Sequence, residues 1–522
     1  MPPLDAFFHV CGKGDTRTTS GQPRFFRGHV IARGVQTVPD GIFASWEWDG
    51  RRLGVRNDRY GASPLFYWYD ERQFCVSPSV LTLIERGAPT TIDESGLAAF
   101  LRLGFFLGDD TPFAAIRAVP PGSLLEWCEG TLSKSGGRPR TRVNRATRDA
   151  ALDGFVTLFR EAIARRPPNG AGTYVPLSSG RDSRHILFEL AALGHRPQCV
   201  TIPRYPPRPG EDERIAPLIA RAVGAPHTEL RQNPSRFSTE LQKNWATHLC
   251  ADEHAWYLEM IASLGTAPTV VYDGLGGALS VPNRFHSRES IALMEAGKTR
   301  ELADRLLRSY SVQTETYLER VLRPDAYAAL SRERAVERFA AELDGHVDAP
   351  DPIKSFNVWN RIRRELALVP YGMMKHVPTV YSPYFDHDLF DFLMGMPITT
   401  MTPDVAAGDK SFHTEAIHRA FPQYRELPFE NKQAPKLDAG AHNIRFAAEA
   451  SGFILRHSNA QRRLINRRFV LPRALYARSG TSFGRNRPWF ASLCLYLTQL
   501  EMAAERQLPS TIDIIESHAL AA

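Results

Sequence analysis

The stretch Tyr174-Val175-Pro176-Leu177-Ser178-Ser179-Gly180-Arg181-Asp182-Ser183 decides how the rest of the chain is read. A short apolar run predicts a buried strand, and Arg184 to Leu193 predicts a helix stopped by Gly194. Between them lies a tight turn of hydroxyl residues and glycine. Two readings fit it. Ser178 and Ser179 cap a helix whose dipole Asp182 complements, as residues at helix starts often do. Alternatively the turn is an anion cradle, where Gly180 admits a ligand close to the backbone and the first helical amides face it unpaired. In that second reading Asp182 needs a divalent cation between its carboxylate and a phosphate.

No Gly-Lys-Ser/Thr follows, so the turn is not the loop of phosphoryl-transfer P-loop enzymes. It resembles the Ser-Gly-Gly-x-Asp-Ser pyrophosphate loop of enzymes that split ATP between its α and β phosphates to adenylate a carboxylate. Ser179 stands where those enzymes carry their first glycine. The resemblance implies that Ser178, Ser179, Gly180, Asp182 and Ser183 hold pyrophosphate, and that Asp182 holds Mg2+.

Around this loop the pattern is one of alternation. A helix with Leu152, Phe155, Val156, Phe159, Ala162 and Ile163 on one face precedes it. A strand at Gln198–Ile202, a helix at Asp212–Val223 ended by Gly224, and strands at His227–Leu230 and Thr269–Tyr272 follow. Such spacing predicts a doubly wound parallel sheet whose ligand sits at the carboxyl ends of the strands. Ile202 and the loop Pro203–Gly210 lie at such an end, where they would close over adenine.

The first 132 residues read differently. Short β segments fall at Ala6–Val10, Gly41–Trp48, Arg52–Val55, Pro64–Tyr69 and Gln73–Ser77, with helices at Ser79–Glu85 and Glu94–Arg102. Residues 133–148 are polar, basic and rich in Gly and Pro, and predict a linker reaching to about residue 150, with the second domain spanning 151–522. The phrases running from Phe43 to Asp49, from Arg56 to Tyr67 and from Thr111 to Gly122 resemble, in order, the N-terminal glutaminase domain of asparagine synthetases. That family uses a cysteine freed at its amino terminus. Here Pro2 follows Met1, and Cys11-Gly12-Lys13 reads as a core thiol followed by a turn, so a domain without its nucleophile is expected.

The resemblance continues to about residue 440. Asp273-Gly-Leu-Gly-Gly-Ala-Leu279 lies where asparagine synthetases carry Gly-Glu-Gly-x-Asp and their β-lactam-forming relatives Gly-Tyr-Gly-x-Asp. Gly274 and Gly276 match; Leu275 replaces the Glu or Tyr, and Ala278 the second magnesium-binding Asp. Asp273 is either a substitute ligand and catalytic group or a carboxylate capping its own turn. Asp252-Glu253-His254 offers alternative bases near that mouth, or simply complements a helix start. A helix is expected over Ala326–Leu343 and another over Trp359–Leu368, the latter with Arg361, Arg363 and Arg364 on a solvated face or on phosphate. Val380 to His387 resembles the family's Val-Arg-Val-Pro-Phe-Leu-Asp-His, and Asp409 to Ala416 its Gly-Lys-x-x-Leu-Arg helix. Lys432 falls on the family's Arg-x-Lys, which implies the cation that meets the α-phosphate.

At 522 residues, 43% apolar and 23% charged, the chain describes an ordinary globular protein large enough for two cores. A net charge of +7 and a pI of about 9.1 suit an anionic nucleotide or acidic peptide. No run is basic enough to predict nucleic-acid binding, and no membrane span or signal peptide is expected. Six scattered cysteines predict reduced thiols and a cytoplasmic protein.

The expectation is thus an α/β chain. A Ntn-hydrolase-like α+β sandwich precedes a doubly wound ATP-pyrophosphatase domain with extra C-terminal helices. It would be an AMP-forming carbon–nitrogen ligase using ATP and Mg2+, closing an amide between a carboxylate and an amine of a small molecule or peptide. With no working glutaminase, and with Leu275 speaking against ammonia, macrolactam formation in a lasso-type peptide is the leading expectation, with a partner protein processing the same precursor. An ammonia- or amine-dependent amidotransferase and a degenerate nucleotide-binding scaffold are the rivals.

Overall fold

A computed structural model describes residues 5–12, 16–32, 39–168, 172–203, 211–264, 269–402, 404–405, 409–430, 440–478 and 488–509. Ten strands come first: β1 (Phe8–Cys11), β2 (Thr18–Gly21), β3 (Arg24–Ile31), β4 (Asp40–Trp48), β5 (Arg52–Asn57), β6 (Phe66–Asp70), β7 (Gln73–Ser77), β8 (Ile116–Ala118), β9 (Ser123–Cys128) and β10 (Thr131–Gly136). They form two antiparallel sheets, ordered β2-β1-β7-β6-β8 and β10-β9-β5-β4-β3. Phe8, Val10, Phe74 and Val76 from one sheet and Trp46, Leu53, Val55 and Trp127 from the other make a shared buried core. These side chains alternate with outward polar ones, which is what packs two sheets face to face. Residues 133–136, expected within the linker, complete β10; the polar stretch then runs on to Thr147, which caps the helix Arg148–Ala164 through the amide of Ala150.

A parallel sheet follows, built from β11 (Gly172–Pro176), β12 (Gln198–Thr201), β13 (His227–Glu229), β14 (Thr269–Tyr272) and β15 (Thr379–Tyr381). Its order is β13-β12-β11-β14-β15, with every pair parallel. The sequence therefore winds outward from β11 in one direction and then restarts on its other side at β14. Phe155, Phe159 and Ile186 share a buried core with Val175, Val270 and Val271 of the sheet, and Leu187, Ile215 and Ile219 share a second with Cys199. Apolar cover of this kind is what a parallel sheet requires. The crevice between β11 and β14 is the topological switch point, where open α/β sheets hold their ligands.

The last helices do not stand apart. Leu493, Tyr496, Leu497 and Leu500 of the helix Pro488–Ala504 share one core with Leu97, Phe100 and Leu101 of the helix Glu94–Leu103. Buried ion pairs tie the sandwich to the parallel-sheet region: Arg166 Nη1 donates to Asp386 at 2.8 Å and its Nη2 to Asp40 at 3.2 Å. Arg59 pairs with Asp391 at 2.7 Å.

Two expectations change here. The helix expected over Ala326–Leu343 is two, Pro324–Ala329 and Arg332–Asp344, because Ser331 caps the second by accepting from the Arg334 amide. The stretch Val358–Leu366 is wound as a π-helix. Its Arg363 and Arg364 are on neither a solvated face nor a phosphate site. Both are buried: Arg363 donates to the carbonyls of Gly108 and Val119 and to Asp109, and Arg364 to the carbonyl of Asp110. A guanidinium has enough donors to saturate a loop of carbonyls, which a periodicity argument cannot foresee. Among the described residues all six cysteines are free, and no helix is long and apolar enough to cross a membrane.

Candidate active site

At the switch point a cleft of about 200 Å³ is lined by Leu177, Ser178, Asp182, Ser183, Ile202, Asp273 and Gly274, among others. The two loops singled out in the sequence thus converge on one space. The helix begins at Asp182, with Arg181 as N-cap and no side-chain cap among the described residues. The turn before it is braced internally: the Ser178 amide donates to Ser183 Oγ at 3.2 Å, and the Gly180 amide to Ser178 Oγ at 3.2 Å.

Ser179 turns away from the cleft. It is buried, and both its amide and its hydroxyl donate to Asp212 Oδ1, at 2.8 and 2.6 Å. Asp212 sits in the first turn of the helix Glu211–Ala222 and also lines the cleft, so it holds the turn to the neighbouring strand–helix unit. Nothing in the local pattern at Asp212 points to this pairing with a residue far back in the chain.

Asp182 is about half exposed into the cleft, and four neighbours shape its surroundings. A Cβ on Gly277 would stand 2.2 Å from its Cγ, and one on Gly274 3.0 Å from its Cβ. Behind it, His413 Nδ1 faces Oδ1 at 3.4 Å. Tyr384 Oη donates to its backbone carbonyl at 3.1 Å. Gly277, which sequence comparison passed over, is therefore the glycine that makes room for the carboxylate. Gly276 takes φ +95° and packs on Tyr384 instead.

Asp273 caps its own turn by accepting from the Leu275 amide at 2.8 Å, and it also lines the cleft. Of the two alternatives for it, the turn cap is the one seen. Burial, aided by the charge of Asp182 and opposed by the Leu275 hydrogen bond, raises its pKa to about 6. Two carboxylates in mutual electrostatic reach at one cleft are a donor set that fits Mg2+ with phosphate and water oxygens completing the shell. Among the described residues no group of three or more His, Cys, Asp or Glu would hold a metal without such help.

His254, Trp256 and Tyr257 also line the cleft. His254 takes φ +77°, a region that side-chain-bearing residues rarely enter and that tends to mark functional sites. Its neighbours in the sequence are engaged elsewhere: Asp252 is exposed, with its carbonyl accepting from Lys243, and Glu253 accepts from Arg361 at 2.9 Å. Just behind Leu366 of the cleft wall, Glu365 is buried, and burial followed by the Glu253 charge raises its pKa to about 8. Lys432 and most of the Pro203–Gly210 loop lie outside the described residues. The chain leading to Lys432 is fastened to the loop, since Arg184 donates to the carbonyls of Leu427 and Pro428 and, with Arg181, stacks on Phe429.

Residues 31–136 match the glutamine amidotransferase domain. The first domain resembles those of glutamine amidotransferases. The matched stretch of this amidotransferase-like domain begins beyond Cys11, which is half-buried at the end of β1 opposite Gln73. No curated protein matches the chain. Two solved structures are similar at 10% identity each. One is an allosteric regulatory enzyme of purine biosynthesis, covered to 44% of this chain and 76% of its own, with a TM-score of 0.18. The other is the glutamine phosphoribosylpyrophosphate amidotransferase of B. subtilis complexed with ADP and GMP, at 59% and 73%, with a TM-score of 0.17. Likenesses that faint carry neither fold nor function.

Proposed function

We propose that the chain is an ATP-dependent amide-forming ligase whose chemistry takes place in the cleft between β11 and β14. The observation that carries this reading is the uncapped helix start at Asp182, facing the same space as Asp273 across bare glycines. ATP enters as substrate with its β and γ phosphates at the amides of that helix start and at Ser178 and Ser183. An oxygen of the substrate carboxylate attacks the α-phosphorus, the bond from that phosphorus to the bridging oxygen breaks, and pyrophosphate departs. An amine nitrogen then attacks the acyl carbon, AMP leaves with the carbon–oxygen electron pair, and the amine's surplus proton passes to a base. Converting an oxide leaving group into AMP is the purpose of the first step.

Asp182 and Asp273 would hold Mg2+, which neutralises phosphate charge when bound. Lys432 is the cation proposed for the α-phosphate. His254, which lines the cleft, is the proposed proton acceptor, and the Trp256 and Tyr257 rings beside it are suited to packing a planar or apolar substrate part. The amine belongs to the substrate in this reading, as in closure of a peptide macrolactam. Pyrophosphate release with candidate carboxylates tests it, with Asp182→Ala as control; release no faster than in that variant contradicts ligase chemistry.

The match of residues 31–136 favours a second reading, an amidotransferase in which ammonia is the amine. Glutamine hydrolysis by the purified protein would select it.

A further inference from the structure

Behind Asp182 runs a line of buried polar side chains that the ligase reading does not use. His413, on the helix Ser411–Ala420, is fully buried and points Nδ1 at Asp182 Oδ1, 3.4 Å away. Its Nε2 lies 3.2 Å from Nδ1 of His185, which is also fully buried. His185 Nε2 in turn faces Glu189 Oε1 at 4.0 Å, and the other oxygen of Glu189 accepts from Arg160. Phe155 and Phe159 pack on these rings. Burying two imidazoles among aromatic rings costs free energy that an apolar pair would avoid. His413 Nδ1, His185 Nε2 and Glu189 Oε1 have no hydrogen-bond partner in this arrangement.

The directions of these contacts follow from elementary hydrogen-bond accounting. An ionised carboxylate only accepts, so the His413 nitrogen aimed at Asp182 must carry the proton. With one donor on the His413 ring, its Nε2 is the acceptor, and the hydrogen between the two rings belongs to His185 Nδ1. Burial first, with the Arg160 charge adding to it, holds the His185 pKa well below its usual value, which keeps that ring neutral with a single donor. Tyr384 Oη, 3.5 Å from His413 Nε2, already donates to the Asp182 carbonyl and adds no competing demand.

We propose that His413 is a positioning residue that orients the Asp182 carboxylate for a divalent cation, and that His185 holds the His413 ring in the tautomer this needs. The inference rests on the ligase reading for the role of Asp182. Groups behind a ligating side chain typically change metal affinity 10- to 100-fold when removed.

The test uses the full chain, with Mn2+ titrated in the presence of ATP and free Mn2+ followed by electron paramagnetic resonance. His413→Asn keeps a donor near the Nδ1 position, His413→Gln moves it to the Nε2 position, and His413→Phe fills the volume with none. The expected result is near wild-type affinity for His413→Asn and a loss of about 10-fold or more for the other two. Thermal unfolding should be similar for all soluble variants. Equal affinity in wild type and His413→Phe overturns the inference alone. If His413→Phe does not fold, equal affinity in the Asn and Gln variants does the same. Absence of ATP-dependent Mn2+ binding by the wild type overturns the inference together with the reading beneath it.

Discussion

Asp182 and Gly277 meet so closely that no side chain fits between them: a Cβ on Gly277 would stand 2.2 Å from Asp182 Cγ and 2.3 Å from Oδ1. The two residues come from the loops after the two strands that flank the switch point, so their contact joins those loops. Gly277→Ala must push the carboxylate out of place. The expected outcome is loss of Mg–ATP binding by at least about 10-fold in calorimetry, with circular dichroism unchanged. Undiminished binding would mean that Asp182 does not work from this position.

Asp212 offers a second handle on the same loop. Its carboxylate satisfies two buried donors of Ser179 through one oxygen. Asp212→Ala leaves both unpaired, which costs about 1–3 kcal/mol per buried group. Asp212→Asn retains an acceptor oxygen and is expected to fall between Ala and wild type in urea unfolding and in nucleotide affinity.

Much of this was legible in the sequence. The apolar run into Ser178–Ser183 and the alternation after it are local patterns, and they predict a doubly wound sheet with its ligand at the strand ends. What stayed hidden depends on contacts between distant segments. Gly277 is one of several glycines after β14, and only its approach to Asp182 distinguishes it. Asp212, His413 and Arg363 each pair with residues far away in the chain, so no periodicity marks them. The split at Ser331 rests on one capping residue inside a helical pattern that runs on across it.

Arg166 is buried between Asp40 and Asp386, which are buried too. Removing one partner of a buried ion pair leaves an uncompensated charge and typically costs about 3–5 kcal/mol. Arg166→Ala is therefore expected to lower the free energy of unfolding by an amount in that range, read by urea unfolding. A change under about 1 kcal/mol would show that the sandwich and the parallel sheet do not depend on this pair.

Glu365 gives the fold a pH dependence with a definite sign. Burial and Glu253 raise its pKa from 4.5 to about 8. The native state therefore keeps this proton over a pH window in which the unfolded chain has lost it, and stability falls as pH rises from 4.5 towards 8. Glu365→Gln removes the ionisation. Its advantage over wild type is expected to be small at pH 4 and to reach on the order of 1–3 kcal/mol at pH 9, read by urea unfolding at both values. An advantage that does not grow with pH would contradict this.

The central claim is that the helix start at Asp182 receives the departing end of ATP. A crystal structure of the full chain with Mg2+ and α,β-methylene-ATP tests it most directly. The account predicts the β and γ phosphates against the amides at the start of the Asp182–Ala192 helix, between Ser178 and Ser183, with a cation at Asp182. Nucleotide bound anywhere else, or that turn still closed by its own side chains at saturating ligand, would contradict it.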